Sequence, residues 1–166
     1  MMDESRLTEY YSEIANKLDE MIPCEWERVV LYAMEVGNWS FATFYFYTAD
    51  GAVHHWGDIP EEYDVDDDVV DELIDELTQI NKNLWLEFQN SDAETWYSFT
   101  FDLDSDWKFK VKYGYEQHED ISGLEIEIRW AYDELGLIPD EKVERMLLKE
   151  YLEKQNRELP DELKNM

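Results

Sequence analysis

The spacing of apolar residues along the chain switches between a helical period and a strand period. Residues 4–22 place apolar side chains three and four positions apart, which predicts an amphipathic helix that a proline ends. Residues 26–36 then alternate with a period of two, and the aromatic-rich stretch 41–48 follows a Gly-Asn turn signal. Residues 53–56 follow an Asp-Gly turn signal and complete a predicted antiparallel meander.

A second long helix and a second hairpin follow a connecting loop expected at residues 58–64. Residues 66–88 show helical spacing, and the acidic residues of the first turn suit the positive end of the helix dipole. Residues 95–103 and 107–115 predict a hairpin whose last strand has one packed face and one lysine-bearing face in water. The expected buried stripe of the helix comprises Val70, Leu73, Leu77, Ile80, Leu84 and Phe88. The expected packed face of the last strand comprises Trp107, Phe109, Val111, Tyr113 and Tyr115.

Two further helices are predicted near the end of the chain, over residues 124–135 and 140–155. Gly136 suits the C-terminal cap of the first of these helices, because glycine readily adopts the left-handed conformation of that position. Pro139 suits the start of the second helix, where a missing backbone N–H does no harm.

The element order α-β-β-β-α-β-β-α-α predicts an α+β fold whose antiparallel sheet carries helices on one face. We expect a single domain over residues 1–166, with fraying at residues 156–166. Aromatic residues make up 15% of the chain, which separates it from acidic disordered sequences that are poor in aromatics.

The formal net charge is -28 over 166 residues, and this excess constrains the partners of the protein. Nucleic acids and anionic membrane surfaces are repelled, because binding them requires basic side chains that replace counterions. A basic protein surface is attracted, and its association is accelerated by electrostatic steering. Identical subunits repel one another, so we expect a monomer when the protein is free.

The negative charge is most concentrated between Glu61 and Glu76, where ten acidic residues occur and no basic residue. Four like-charge pairs at i,i+4 on the second helix each cost about 0.2–0.5 kcal/mol on an exposed face. A solvated face kept acidic for solubility is the alternative for each single residue, but the cluster as a whole predicts a docking surface for a basic partner. The predicted partner-binding residues are Glu61, Glu62, Asp64, Asp67, Asp68, Asp71, Glu72, Asp75, Glu76 and Trp56.

Aromatic anchors are the second expected part of such a surface, because the centres of interfaces are rich in aromatic residues. Trp39, Trp56 and Trp85 are the candidates, and a position in the core is the alternative for each.

No pattern in the sequence indicates an enzyme, a cofactor or a metal site. Asp102, Asp104 and Asp106 resemble the opening of a calcium-binding loop, but Trp107 and Tyr113 stand where that loop needs glycine and glutamate. A hairpin turn with acidic residues at its tip is the preferred interpretation.

The three histidines and the one cysteine do not form a recognisable site either. His54 and His55 are neighbours on a strand and point to opposite faces, and His118 lies far away in an acidic loop. Cys24 is the only cysteine, and we expect it to pack as a small apolar residue near Trp26. We therefore expect no catalytic, cofactor-binding or metal-binding residues.

The cellular compartment is indicated by the absence of a cysteine pair, a signal peptide and a long apolar stretch. A single cysteine cannot form an internal disulfide, which favours a reducing cytosol. Residues 1–20 have no apolar run suited to a signal peptide, and no stretch of 18 apolar residues occurs. We expect a cytoplasmic protein.

Several blocks of the sequence, in order along nearly the whole chain, resemble the YezG/EsaG-like immunity (antitoxin) proteins. The most specific block is Ile22-Pro23-Cys24-Glu25-Trp26-Glu27, in which Cys24 replaces an expected small aliphatic residue. The other blocks are Tyr11 to Asn16, Asp58 to Tyr63, the helix starting near Val69 with Asp71-Glu72-Leu73, Thr95-Trp96, and Tyr132 to Pro139.

The resemblance implies a cytosolic antitoxin that protects a bacterium against a secreted polymorphic toxin. Toxins of this kind typically carry a nuclease domain, and the antitoxin binds that domain and blocks its activity until export. Nuclease domains tend to be basic, so the acidity of this chain and the resemblance agree from independent directions. The resemblance implies a non-enzymatic nuclease inhibitor, but it transfers no contact residues.

Two other hypotheses stay open at this point. The chain could be an acidic adaptor or chaperone for a basic secreted partner, which would bind without abolishing its catalysis. It could also be a small metal-dependent hydrolase using carboxylates, which would bind a divalent cation tightly and stoichiometrically.

Overall fold

A computed structural model describes residues 3–117 and 121–166, so the prediction for His118 lies outside the described residues. The chain forms two compact units, Met1–Glu116 and Gln117–Met166.

The α+β class and the predicted order of elements are confirmed. The elements of the first unit are α1 (Glu4–Met21), β1 (Arg28–Glu35), β2 (Ser40–Tyr47), β3 (Val53–His55), a 3₁₀ turn (Trp56–Asp58), α2 (Ile59–Tyr63), α3 (Asp67–Gln89), β4 (Ser98–Asp104) and β5 (Phe109–Gly114). Those of the second unit are α4 (Gly123–Leu135), α5 (Lys142–Lys154) and α6 (Asp161–Lys164).

The five strands form one antiparallel sheet in the order β3-β2-β1-β4-β5. β1 lies at the centre, where Leu31 pairs with Phe44 of β2 and with Phe101 of β4. These three side chains are fully buried, which fixes the register because a slip by one residue would turn them to the opposite face.

The core of the first unit lies between one face of the sheet and the helices α1 and α3. Helix α1 contributes Ile14 and Leu18, which are fully buried, and α3 contributes Leu77 and Leu84. The strands contribute alternate residues from that face, namely Val29, Leu31, Ala33, Phe44, Phe46, Phe99, Phe101 and Leu103. Burial of this apolar face, rather than helix propensity, is what stabilises α3.

The second unit has a small core of its own. Ile128 of α4 packs with Leu148 and Leu152 of α5 and with Leu163, which is fully buried within α6 although fraying is expected there. Gly136 ends α4 in the left-handed conformation with φ 68°, so the predicted cap is confirmed.

Two helix starts differ from the sequence prediction. Helix α5 begins at Lys142, so Pro139 lies before it rather than at its first position. The loop expected at residues 58–64 is instead a 3₁₀ turn followed by α2, and Ile59 at its start is buried. Pro60 indicates a loop in the sequence, but proline is equally suited to the first turn of a helix.

The packing of β5 and α3 also departs from the predicted pattern. On β5, Val111 and Tyr113 are half-buried, but Phe109 is 42% exposed because β5 lies at the sheet edge. Trp107 and Tyr115 lie outside the strand and are 44% and 47% exposed. The buried stripe of α3 comprises Val70, Leu77, Asn81, Leu84 and Phe88, with Leu73 and Ile80 only half-buried.

Candidate functional site

The main candidate site is an exposed acidic surface on α2, the α2–α3 connection and the first half of α3. We call this surface the acidic ridge. It comprises Glu61, Glu62, Asp64, Asp67, Asp68, Asp71, Glu72, Asp75 and Glu76, all of which are exposed.

The connection between α2 and α3 is fixed by backbone and side-chain hydrogen bonds. Asp64 ends α2 in the left-handed conformation with φ 54°, and the N–H of Val65 donates to the carbonyl of Pro60 at 3.2 Å. The Asp66 carboxylate then accepts the backbone N–H of Asp68 at 2.9 Å and caps α3. Acidic residues from both helices are therefore presented on a defined backbone.

Two carboxylates of the ridge have basic partners. Lys17 of α1, whose side chain is only 14% exposed, forms an ion pair with Glu76. His54 Nδ1 lies 2.9 Å from a Glu62 oxygen. The sequence gives no local signal for either pair, since Lys17 lies 59 residues away from Glu76.

The other seven carboxylates have no ion pair with a lysine, arginine or histidine of residues 3–117 and 121–166. Asp67, Asp71 and Asp75 follow one another at i,i+4 on the exposed face of α3, and Asp68 and Glu72 form a parallel row. Such pairs destabilise an isolated helix by about 0.2–0.5 kcal/mol each. These seven carboxylates therefore produce a concentrated negative potential that no basic side chain of the described structure neutralises.

The three candidate tryptophan anchors have different environments. Trp56 is half-buried, and its Nε1–H donates to Thr43 Oγ1 at 3.1 Å. Trp85 is also half-buried and donates to the carbonyl of Trp96 at 3.1 Å. Trp39 is 40% exposed and stacks on Phe41, with ring centroids 5.7 Å apart. The indole N–H groups of Trp56 and Trp85 are thus used in holding the fold, and Trp39 presents the most open ring of the three.

The acidic residues of the β4–β5 hairpin have structural partners. Asp102 accepts two hydrogen bonds from the guanidinium of Arg28, at 3.0 and 2.8 Å. Asp104 Oδ1 accepts the backbone N–H groups of Asp106 and Lys108 and so holds the turn. Among the described residues, no group of three or more histidine, cysteine, aspartate or glutamate side chains is arranged to hold a metal ion.

The histidine pair divides between two faces, as the alternation of a strand predicts. His54 stacks on Phe46, with ring centroids 4.9 Å apart. His55 lies near Thr43, and its Nδ1 accepts the backbone N–H of Gly57, so His55 caps the start of the 3₁₀ turn.

Cys24 is half-buried and packs against the core, with its Sγ 3.5 Å from the hydroxyl of Tyr63. This hydrogen bond, aided by partial burial, raises the pKa of Tyr63 to about 12. The contact ties the segment before β1 to the end of α2. Cys24 thus packs against the core, as expected for a small apolar residue at this position.

None of the helices within the described ranges has the length and apolar character needed to cross a membrane.

Comparison with known proteins identifies the family of this acidic α+β protein. A sequence model described as YezG-like immunity protein matches residues 7–149. The immunity protein YezG of Bacillus spizizenii is 34% identical over 154 residues, which cover 91% of this chain and 96% of that protein. The immunity protein YezG of Bacillus subtilis is 28% identical over 149 residues, with 88% and 99% covered. The type VII secretion system protein EsaG of Staphylococcus aureus is 29% identical over 154 residues, with 90% and 94% covered. The chain therefore belongs to the family of YezG-like immunity proteins, as its sequence blocks indicate.

Proposed function

We propose that this protein is an immunity protein that binds and inhibits the basic nuclease domain of a secreted toxin through its acidic ridge. The observation that carries the proposal is the set of seven exposed carboxylates on α2, α3 and their connection that form no ion pair with any described basic residue. The family and the names of the relatives support the immunity role. The relative named as a type VII secretion system protein supports a secreted partner.

The proposed mechanism is electrostatic substitution. A nuclease binds the phosphates of its substrate with lysine and arginine side chains, and carboxylates on a rigid helix can occupy the same basic positions. Long-range attraction raises the association rate, and the short-range ion pairs then exclude the nucleic acid. Inhibition requires no catalytic residue on the immunity protein.

We further propose that residues 1–166 act as one domain and that the protein works in the cytoplasm as a monomer before it meets its partner. The net charge of -28 supports the monomer, since two copies repel one another. The single, half-buried cysteine is compatible with a reducing compartment.

The direct test is a nuclease assay with the toxin encoded beside this protein, titrated at two salt concentrations. We expect cleavage to cease at one equivalent and association to slow at high salt. Undiminished cleavage despite binding in a pull-down assay would support the alternative, an acidic adaptor or chaperone for a basic partner. Undiminished cleavage without binding would contradict inhibition of that toxin.

Charge reversal on the ridge tests where the toxin binds. The triple variant D68K/D71K/D75K should slow association with the toxin by at least about tenfold at low salt, because the local field changes sign. Association rates measured by stopped flow at low and high salt give the readout. The matched control is E150K/E153K/E158K, which changes the net charge equally at exposed residues of the second unit. Equal rates for the two variants would place the docking surface outside the ridge.

A further inference from the structure

An open groove of about 760 Å³ lies in the first unit, outside the acidic ridge. It is formed by the end of α1, the segment that leads into β1, and the β4–β5 turn. Its volume is in the range of pockets that hold small ligands or a few side chains. The lining residues are Asp19, Ile22, Pro23, Cys24, Glu25, Trp26, Glu27, Ser105 and Trp107.

Two tryptophans form the aromatic wall of this groove. Trp26 is 9% exposed, and its Nε1–H donates to Asp19 Oδ1 at 3.0 Å, which fixes the ring. Trp107 lies against it at an interplanar angle of 58°, with ring centroids 6.3 Å apart. Trp107 is 44% exposed, so a large part of its indole surface remains open to a ligand.

The position of Trp107 is not explained by the geometry of the turn. Its φ is 63°, in the left-handed region that glycine and asparagine adopt most readily. For a bulky residue this conformation costs roughly 1–2 kcal/mol. A glycine would therefore suit the backbone of the turn better.

The rim of the groove is acidic, and its backbone is hydrogen-bonded at Glu27. Glu25 and Glu27 are exposed, and no lysine or arginine within the described ranges forms an ion pair with them or with Asp19. The backbone of Glu27 is held on both sides, because its N–H donates to Tyr47 at 2.7 Å and its carbonyl accepts from Ser105 at 3.0 Å. The groove thus combines an open aromatic surface with three carboxylates, of which Asp19 already accepts the indole N–H of Trp26.

We propose that this groove receives an arginine side chain of the basic partner, as a second contact separate from the acidic ridge. A guanidinium fits because it stacks on an indole face and donates several hydrogen bonds to carboxylates at once. A lysine ammonium lacks the flat surface for stacking, and an anionic or neutral side chain would leave the carboxylates of the rim without a partner. This inference rests on the proposed function, which supplies the basic partner.

The first experiment tests the groove without the toxin. The peptide tri-arginine amide is titrated into the ¹⁵N-labelled protein, and the indole N–H signals of the seven tryptophans are followed by NMR. We expect the signals of Trp26 and Trp107 to shift clearly more than that of Trp96, which is fully buried. Equal or smaller shifts at Trp26 and Trp107 would overturn the proposal, even if the peptide binds elsewhere.

The second experiment uses the toxin domain and the variant Trp107→Gly. Glycine suits the left-handed backbone, so the fold should persist, and circular dichroism checks this. We expect the dissociation constant for the toxin to rise about tenfold, as the loss of a cation–π contact and its ordered ion pair implies. Trp107→Asn, which also tolerates this backbone, should weaken binding similarly. Tyr115→Ala, an exposed aromatic at the other end of β5, is the control and should bind as the wild type does.

The outcomes separate the two proposals. Toxin inhibition by the wild type with unchanged affinity in Trp107→Gly would overturn the groove and leave the immunity function standing. Failure of the wild type to bind the toxin would contradict the proposed function. The tri-arginine titration would then still test whether the groove binds arginine.

Discussion

At the scale of single residues, Asn81 is the clearest conflict between chemistry and position. It lies on α3 between Leu77 and Leu84, and only 4% of it is exposed. Neither its amide nitrogen nor its amide oxygen has a hydrogen-bond partner in the described structure. A buried polar group in this state destabilises a protein by about 1–3 kcal/mol.

We therefore predict that Asn81→Leu raises the free energy of unfolding by about 1 kcal/mol. Leucine has the same branching at Cγ, so it can enter the site with modest repacking, and it prefers a helix more than asparagine does. Asn81→Asp is the opposite control and should lower stability, because it buries a charge. Urea unfolding of the three proteins measures the difference. A destabilised leucine variant would show that the site lacks the room for it.

The same residue shows the limit of prediction from sequence at this scale. The sequence predicts a buried stripe through Ile80 because apolar residues are expected inside, whereas the structure buries its neighbour Asn81. The two positions differ by 100° around the helix, and the direction of α3 over the sheet decides between them. That direction depends on packing with α1 and the strands, which the sequence of α3 alone does not contain.

At the scale of elements, α1 and β5 are joined by a pair of tyrosines. The hydroxyl groups of Tyr11 and Tyr113 are 2.5 Å apart, and both rings are half-buried. Burial raises the pKa of each phenol above the usual value of 10, and for Tyr113 the hydrogen bond with Tyr11 raises it further. The folded state therefore holds these two protons more tightly than the unfolded chain.

This linkage predicts a loss of stability in alkali. A raised phenol pKa contributes stability that is complete below pH 10, where the unfolded tyrosine is still protonated, and that is lost as the pH rises beyond it. We expect the free energy of unfolding to fall between pH 9 and pH 11. The fall should be smaller in Tyr113→Phe, which cannot ionise. Urea unfolding at both pH values measures the two slopes, and equal slopes would contradict a role for Tyr113.

The elements that can be predicted from the sequence are those whose signals lie within a few neighbouring residues. The pattern predicts α1, α3 and the succession of the strands along the chain, because periodicity and turn residues act within a few positions. It does not predict α2, in which Pro60 lies in the first turn, and it predicts more packing of β5 than the structure has. The exposure of Phe109 depends on the place of β5 at the sheet edge, and strand order is a property of the whole sheet.

At the scale of the whole molecule, the acidic ridge and the groove differ in how visible they are in the sequence. The ridge is a contiguous segment, so its charge and its helical rows can be read directly from residues 61–76. The groove joins Trp26 to Trp107, which lie far apart in the chain and meet only because β1 pairs with β4. A site assembled by sheet pairing leaves no local pattern, so the alternation of residues 107–115 places Trp107 on the packed face of a strand instead.

The net charge of -28 gives the final prediction, on the salt dependence of stability. Self-repulsion is greater in the compact state than in the expanded unfolded chain, so screening should favour folding. The Debye length falls from about 30 Å at 0.01 M salt to about 3 Å at 1 M. We expect the free energy of unfolding to rise steadily over this range, and by similar amounts in NaCl and KCl, because the effect depends on ionic strength.

Thermal unfolding followed by circular dichroism across this salt series gives the measurement. The ridge variant D68K/D71K/D75K should show a weaker salt dependence than the wild type, because it replaces three negative charges by three positive ones where the field is most concentrated. The variant E150K/E153K/E158K has the same net charge, but its substitutions lie outside the ridge. If this control lowers the salt dependence less than the ridge variant does, repulsion is concentrated in the ridge. If both variants lower the salt dependence equally, net charge alone sets it. Stability that does not change with salt would contradict self-repulsion as a significant term, and the exposed carboxylates would then be fully solvated by water at any ionic strength.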